Sequence, residues 1–198
     1  MKMSRISERM LEALRCFVDG RSVVWERGVE AEDWAELFRL SQHHQILPMV
    51  YEAVYACPAM KSCPQTLVQT VKSQVIRQVM LQSRKTSEFL HLYSQLTTQG
   101  LTPLVVKGLV CRNLYREPDY RTSGDEDVLI SAEQFQKCNE IFLKNGMQMA
   151  EPDKDPRTEG EVPYYKAGGV LNIELHKELF SSDSEAYGKL NDYFQDVF

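Results

Sequence analysis

Residues 121–130 read RTSGDEDVLI, and the reading of this stretch decides the fold. Val128-Leu129-Ile130 is the kind of apolar, branched run that becomes a buried strand, yet three consecutive acids, Asp125-Glu126-Asp127, stand at its mouth. Strand side chains alternate between faces, so Asp125 and Asp127 point one way and Glu126 the other. Two carboxylates on one face repel each other unless one is protonated or a cation lies between them. Paired oxygen donors of this kind suit a hard divalent ion such as Mg²⁺. The plainer alternative is an acidic turn facing solvent, and Ser123-Gly124 just before the acids fits a turn.

Working outward, VLNIELH (170–176) has the same alternation, with Glu174 and His176 on one face and Ile173 and Leu175 on the other. Were the two strands neighbours, Glu174 would be a third carboxylate at the same spot. Three carboxylates can hold two metal ions about 3.5–4 Å apart, the arrangement that clamps an in-line phosphoryl displacement. His176 alone is more often a structural histidine. Upstream, VVKG (105–108) reads as a strand, a glycine and then a helix. Gly108 permits close backbone approach, the helical turn behind it offers N–H groups to a triphosphate, Lys107 adds a point charge and Arg121 a bidentate one. Taken alone, VVKG is equally an ordinary strand-to-helix turn.

The remaining grammar divides the chain. Ile6, Met10, Leu14 and Phe17 predict a first helix stopped by Gly20, and Trp34, Leu37, Phe38 and Leu40 a second over 31–43. A third follows Pro48, and a long one runs from Pro64 to Gly100, with a kink expected near Ser83. After residue 100 come a strand at LTPLVV (101–106), helical spacing in LVCRNLY (109–115), and the acidic strand 125–130. Ser131 and Gln134 then read as the capping box of a helix ending near Gly146. A short strand at 147–150, a loop over 151–161 and a hairpin of VPYYKA with VLNIELH around Gly168-Gly169 complete the pattern. The tail 183–198 reads as helix and stops without a cap, as expected of a segment of a longer chain.

The 198 residues suffice for one or two modest domains, and 43% hydrophobic with 26% charged residues is ordinary for a soluble globular protein. A net charge of −5 argues against long nucleic acid as a partner. Nothing resembles a signal peptide or a membrane span. Five scattered cysteines without metal-ligand spacing lead us to expect reduced thiols and a cytoplasmic protein.

The ordered set Lys107-Gly108, Tyr115, Pro118, Arg121, Asp125, Asp127, Leu129 and Glu174-Leu175-His176 resembles the uncharacterised nucleotidyltransferase family of the DNA polymerase beta-like superfamily. The likeness spans about residues 30–180, since the helical front half with His43, His44 and Pro48 also fits. It implies an α+β nucleotidyltransferase fold with a mixed sheet, organised as a helical N-terminal region (1–100), a nucleotidyltransferase core (101–180) and the start of a C-terminal helical segment (181–198). By the same likeness, Asp125, Asp127 and Glu174 are the metal ligands and catalytic acids, Glu174 activating the attacking hydroxyl. Lys107, Gly108, Arg121 and His176 would face the nucleotide. The implied reaction is Mg²⁺- or Mn²⁺-dependent transfer of an NMP from an NTP to a hydroxyl on a protein, a small molecule or a tRNA end. Rival readings are a degenerate nucleotide-binding or protein-interaction module and a phosphohydrolase using the same metals. The chain departs from the family pattern at Arg116, Glu126 and Lys177. Of these, Glu126 stands out, because it puts a charge on the face that should pack against helices.

Overall fold

The computed structural model describes residues 4–25, 29–194 and 197. The chain divides into two compact units: residues 1–82 with 115–122, and residues 83–114 with 123–198. The first unit is helical: α1 (Arg5–Val18), α2 (Ala31–His43), α3 (Leu47–Tyr55) and the opening turns of α4 (Gln65–Thr98). The apolar stripes read from the sequence are the ones that pack. Met10, Phe17, Trp34, Leu37, Phe38, Val71 and Val75 are buried in one cluster, with Ile6, Leu14, Leu40, Val68 and Val79 half-buried around it. Gly20 ends α1 at φ +67°, a left-handed conformation that favours glycine. Tyr120, from the returning segment 115–122, stacks on Phe17 at 5.8 Å.

The second unit holds the sheet. Its strands are β1 (Leu104–Val105), β2 (Glu126–Leu129), β3 (Met147–Met149), β4 (Glu161–Lys166) and β5 (Asn172–His176), interspersed with the single-turn α5 (Leu109–Arg112) and with α6 (Ala132–Lys144). The sheet order is β1-β2-β5-β4-β3. It is mixed, as expected: β2 and β5 run parallel, while the β1–β2, β5–β4 and β4–β3 pairs are antiparallel. Val128, Ile130, Ile173 and Leu175 share a core with Leu92 and Leu96 of α4 and with Phe135, Cys138 and Phe142 of α6. Tyr164 meets Phe142 edge-on and donates its hydroxyl to Asn139 Oδ1 at 2.7 Å. No helix among the described residues is long and apolar enough to cross a membrane.

Several local expectations shift. The LTPLVV strand pairs only at Leu104 and Val105: Pro103 has no N–H, and Thr102 donates its own to Gln134 Oε1. Gln134 is therefore not closing a capping box, and Ser131 caps α6 without a side-chain hydrogen bond. LVCRNLY makes one helical turn and no more before the chain leaves to join the first unit at Tyr115. The long helix runs over Gln65–Thr98 as α4, close to the bounds expected of it, and the division between the units falls at Gln82 and Ser83. The tail forms a 3-10 helix at Gly188–Phe194 in place of an α-helix.

Candidate active site

The parallel pairing of β2 with β5 sets Asp127 directly beside Glu174, with Leu129 beside His176. Alternation then puts Asp127, Glu174 and His176 on one face and sends Glu126, Val128, Ile173 and Leu175 to the other. One ligand atom from each of Asp127, Glu174 and His176 lies within 4.8 Å of the others. His176 Nε2 is 3.4 Å from Asp127 Oδ1 and 3.8 Å from Glu174 Oε2. That nitrogen is buried and has no hydrogen-bond partner among the described residues, while Nδ1 faces Glu161 Oε2 at 3.6 Å.

Asp125 sits one residue before β2 and is half-buried. It lies close enough to Glu174 to hydrogen-bond with it. Burial above all, then the charges of Glu161, Asp125 and Asp127, and finally that hydrogen bond push the Glu174 carboxyl up to about 7. Glu174 thus feels both aspartates, but among the described residues the ligand atoms within 4.8 Å of one another belong to Asp127, Glu174 and His176, and Asp125 stands outside that group.

Lys107 reaches the same spot from beyond β1, its Nζ 2.9 Å from Asp127 Oδ1 with most of its stem in water. This hydrogen bond, more than the surrounding carboxylate charge, raises the lysine's pKa. Gly108 follows at φ +47°, and a Cβ there would lie 2.0 Å from Glu126 Oε2. Its glycine requirement is therefore a close approach to a carboxylate of its own chain. The α5 N-terminus is likewise engaged, because Leu109 N donates to Glu126 Oε2 at 2.7 Å. Arg121 belongs to the 115–122 segment, which clusters with the helical unit.

Glu126 resolves the anomaly of the acidic triplet. It does lie on the core face, fully buried, but Arg112 Nη1 pairs with its Oε1 at 2.6 Å and is equally buried. Arg112 also donates to Ser123 Oγ and, at 3.2 Å, to Thr86 Oγ1. Lys85, 4% exposed on α4, donates to Ser123 O at 2.9 Å and Gly124 O at 2.5 Å, fastening the turn that presents the acids. Burial holds the Lys85 pKa below its ordinary value. Sequence reading missed both cations. The signal for Arg112 was a lone charge inside an apolar helical stretch, facing a downstream acid that also belonged inside. Lys85 carried no signal, since lysine on a long polar helix reads as solvent-exposed.

An α+β chain with a mixed five-strand sheet, in which Asp127 and Glu174 are paired on adjacent parallel strands, is compatible with a nucleotidyltransferase-like fold. The chain belongs to the family described as "Uncharacterised nucleotidyltransferase", whose model matches residues 30–198. No curated protein and no solved structure matches the chain significantly.

Proposed function

We propose that this protein transfers a nucleoside monophosphate from an NTP to a hydroxyl acceptor, releasing pyrophosphate, in a cytoplasmic setting and with Mg²⁺ or Mn²⁺. The observation that carries the reading is Asp127 beside Glu174 on adjacent parallel strands, with Asp125 against Glu174. Carboxylates crowded in this way are a stable arrangement only with a proton or a cation among them. The orphaned Nε2 of His176 at the same spot fits a cation site too. Asp125, Asp127 and Glu174 would hold the divalent ions, which when bound neutralise charge on the phosphates and on the attacking and leaving oxygens.

Within this reading Glu174 takes the proton of the acceptor hydroxyl. The acceptor oxygen forms a bond to the α-phosphorus as the bond from that phosphorus to the bridging oxygen of pyrophosphate breaks. Lys107, next to Gly108, contributes its ammonium to the phosphates, and His176 lines the nucleotide side of the acids. Incubation with α-labelled NTPs, Mg²⁺ or Mn²⁺ and cell extract tests the proposal. The expected result is label on an acceptor, lost in Asp125→Asn and Asp127→Asn variants that remain folded. Release of free NMP with no labelled acceptor would favour the phosphohydrolase. Saturable NTP binding without turnover would favour a non-catalytic module.

A further inference from the structure

The three carboxylates make an all-oxygen set, but the group that lies within mutual reach on β2 and β5 includes a nitrogen. His176 is 8% exposed, its Nε2 has no hydrogen-bond partner among the described residues, and that atom points at Asp127 Oδ1 and Glu174 Oε2. A buried imidazole nitrogen without a partner is unfavourable unless something occupies its lone pair or takes its proton. On the far side of the ring, Nδ1 faces the Glu161 carboxylate at 3.6 Å. A carboxylate behind a histidine, favouring the proton on Nδ1 and leaving Nε2 as the donor atom, is the usual support of a metal-ligating imidazole. Glu161 is held there by sheet pairing, because β4 sets it opposite His176.

We infer that Asp127, Glu174 and His176 form a mixed nitrogen–oxygen site for a first-row transition ion, Mn²⁺ over Mg²⁺. The inference rests on the metal-dependent reading of the site above. Mg²⁺ holds to oxygen donors, whereas imidazole nitrogen raises affinity along the transition series, so one histidine is enough to separate the two ions. Asp127 and Glu174 would be shared between this set and the all-carboxylate one.

The test uses the full chain and the metal ions alone. Pulsed electron paramagnetic resonance of bound Mn²⁺ should show ¹⁴N modulation from a directly bound imidazole, and this should vanish in His176→Gln. In titrations, His176→Gln should weaken Mn²⁺ by about tenfold or more and leave Mg²⁺ affinity nearly unchanged; Glu161→Gln should shift Mn²⁺ in the same direction but less. The spectrum of the parent protein decides the matter even if a variant folds poorly. Mn²⁺ bound without ¹⁴N modulation, or an equal loss of both ions in His176→Gln, overturns the nitrogen assignment and leaves the metal-dependent reading standing. Failure of the parent to bind either ion, with or without NTP, overturns both.

Discussion

Two neighbouring acids of β2 were given opposite surroundings. Glu126 is closed in: Arg112, Ser123 and the Leu109 N–H satisfy its oxygens, and neither it nor Arg112 is exposed. Asp127 is nearly as buried, yet its partners are a lysine whose stem lies in water and a histidine nitrogen with no hydrogen bond among the described residues. One carboxylate is finished by its own chain and the other is left to accept something more. The difference teaches that burial of a charge does not mark a functional acid; the character of its partners does.

The most damaging way to break the closed half is Arg112→Met, which strands Glu126 in the core. A loss of about 3–5 kcal/mol in denaturant unfolding of the sheet unit is expected. The double variant Arg112→Met with Glu126→Leu should recover most of it, because apolar residues of similar volume tolerate such sites. If the single variant costs no more than an ordinary surface change, the core tolerates Glu126 without Arg112.

Gly108→Ala attacks the same contact from the backbone side. The added Cβ meets Glu126 Oε2 and the residue is held at positive φ, so a cost of about 2 kcal/mol is expected. An unchanged unfolding midpoint would show that the Gly108 turn relaxes freely.

Turning to the open half, Glu174 gives a pH dependence of definite sign. Its folded pKa of about 7 exceeds the ordinary 4.5, so the folded protein keeps a proton that the unfolded chain has lost between those values. Its contribution to stability is therefore fully present below about 4.5 and declines as pH rises towards 7. In metal-free buffer, Glu174→Gln should gain thermal stability over the parent across that window by a few degrees. A flat difference between the two melting profiles would show that the carboxyl is not perturbed.

The smallest effect belongs to Lys107→Met. Stability should change by only about 1 kcal/mol, because the lysine end of the pair lies in water even though Asp127 is buried. Metal binding in the absence of nucleotide should tighten, since the ammonium no longer competes for Asp127. NTP binding should weaken more than nucleoside binding, and added salt should narrow that gap. Equal losses for NTP and nucleoside would make Lys107 a structural residue.

The sequence disclosed the periodic parts of this architecture well. The boundaries of α2, the hairpin at Gly168-Gly169 and the apolar faces of β5 follow from spacing alone, because they depend on neighbours in the chain. Glu174 was reached by alternation, but only sheet pairing reveals that it stands beside Asp127. The same holds for His176, whose neighbours Asp127 and Glu161 come from two different strands. What stayed hidden is long-range polar chemistry: Arg112 against Glu126, Lys85 beneath the turn, Gln134 taken by Thr102 instead of its own helix. Such contacts have no period, and each was masked by a local pattern that had a simpler explanation.

The buried pair bears finally on how the chain finds its alignment during folding. Three acids in a row give β2 an ambiguous address, since sliding the strand by one residue would present an aspartate to the core in place of Glu126. An aspartate is one methylene shorter than the glutamate that spans from Arg112 to the Leu109 N–H. A slipped strand therefore leaves a buried guanidinium or a backbone donor without a partner, and also sends Val128 and Ile130 out of the core. Arg112 thus acts as a lock that only one of the three acids fits, and the correctly threaded strand is the one that turns Asp127 outward.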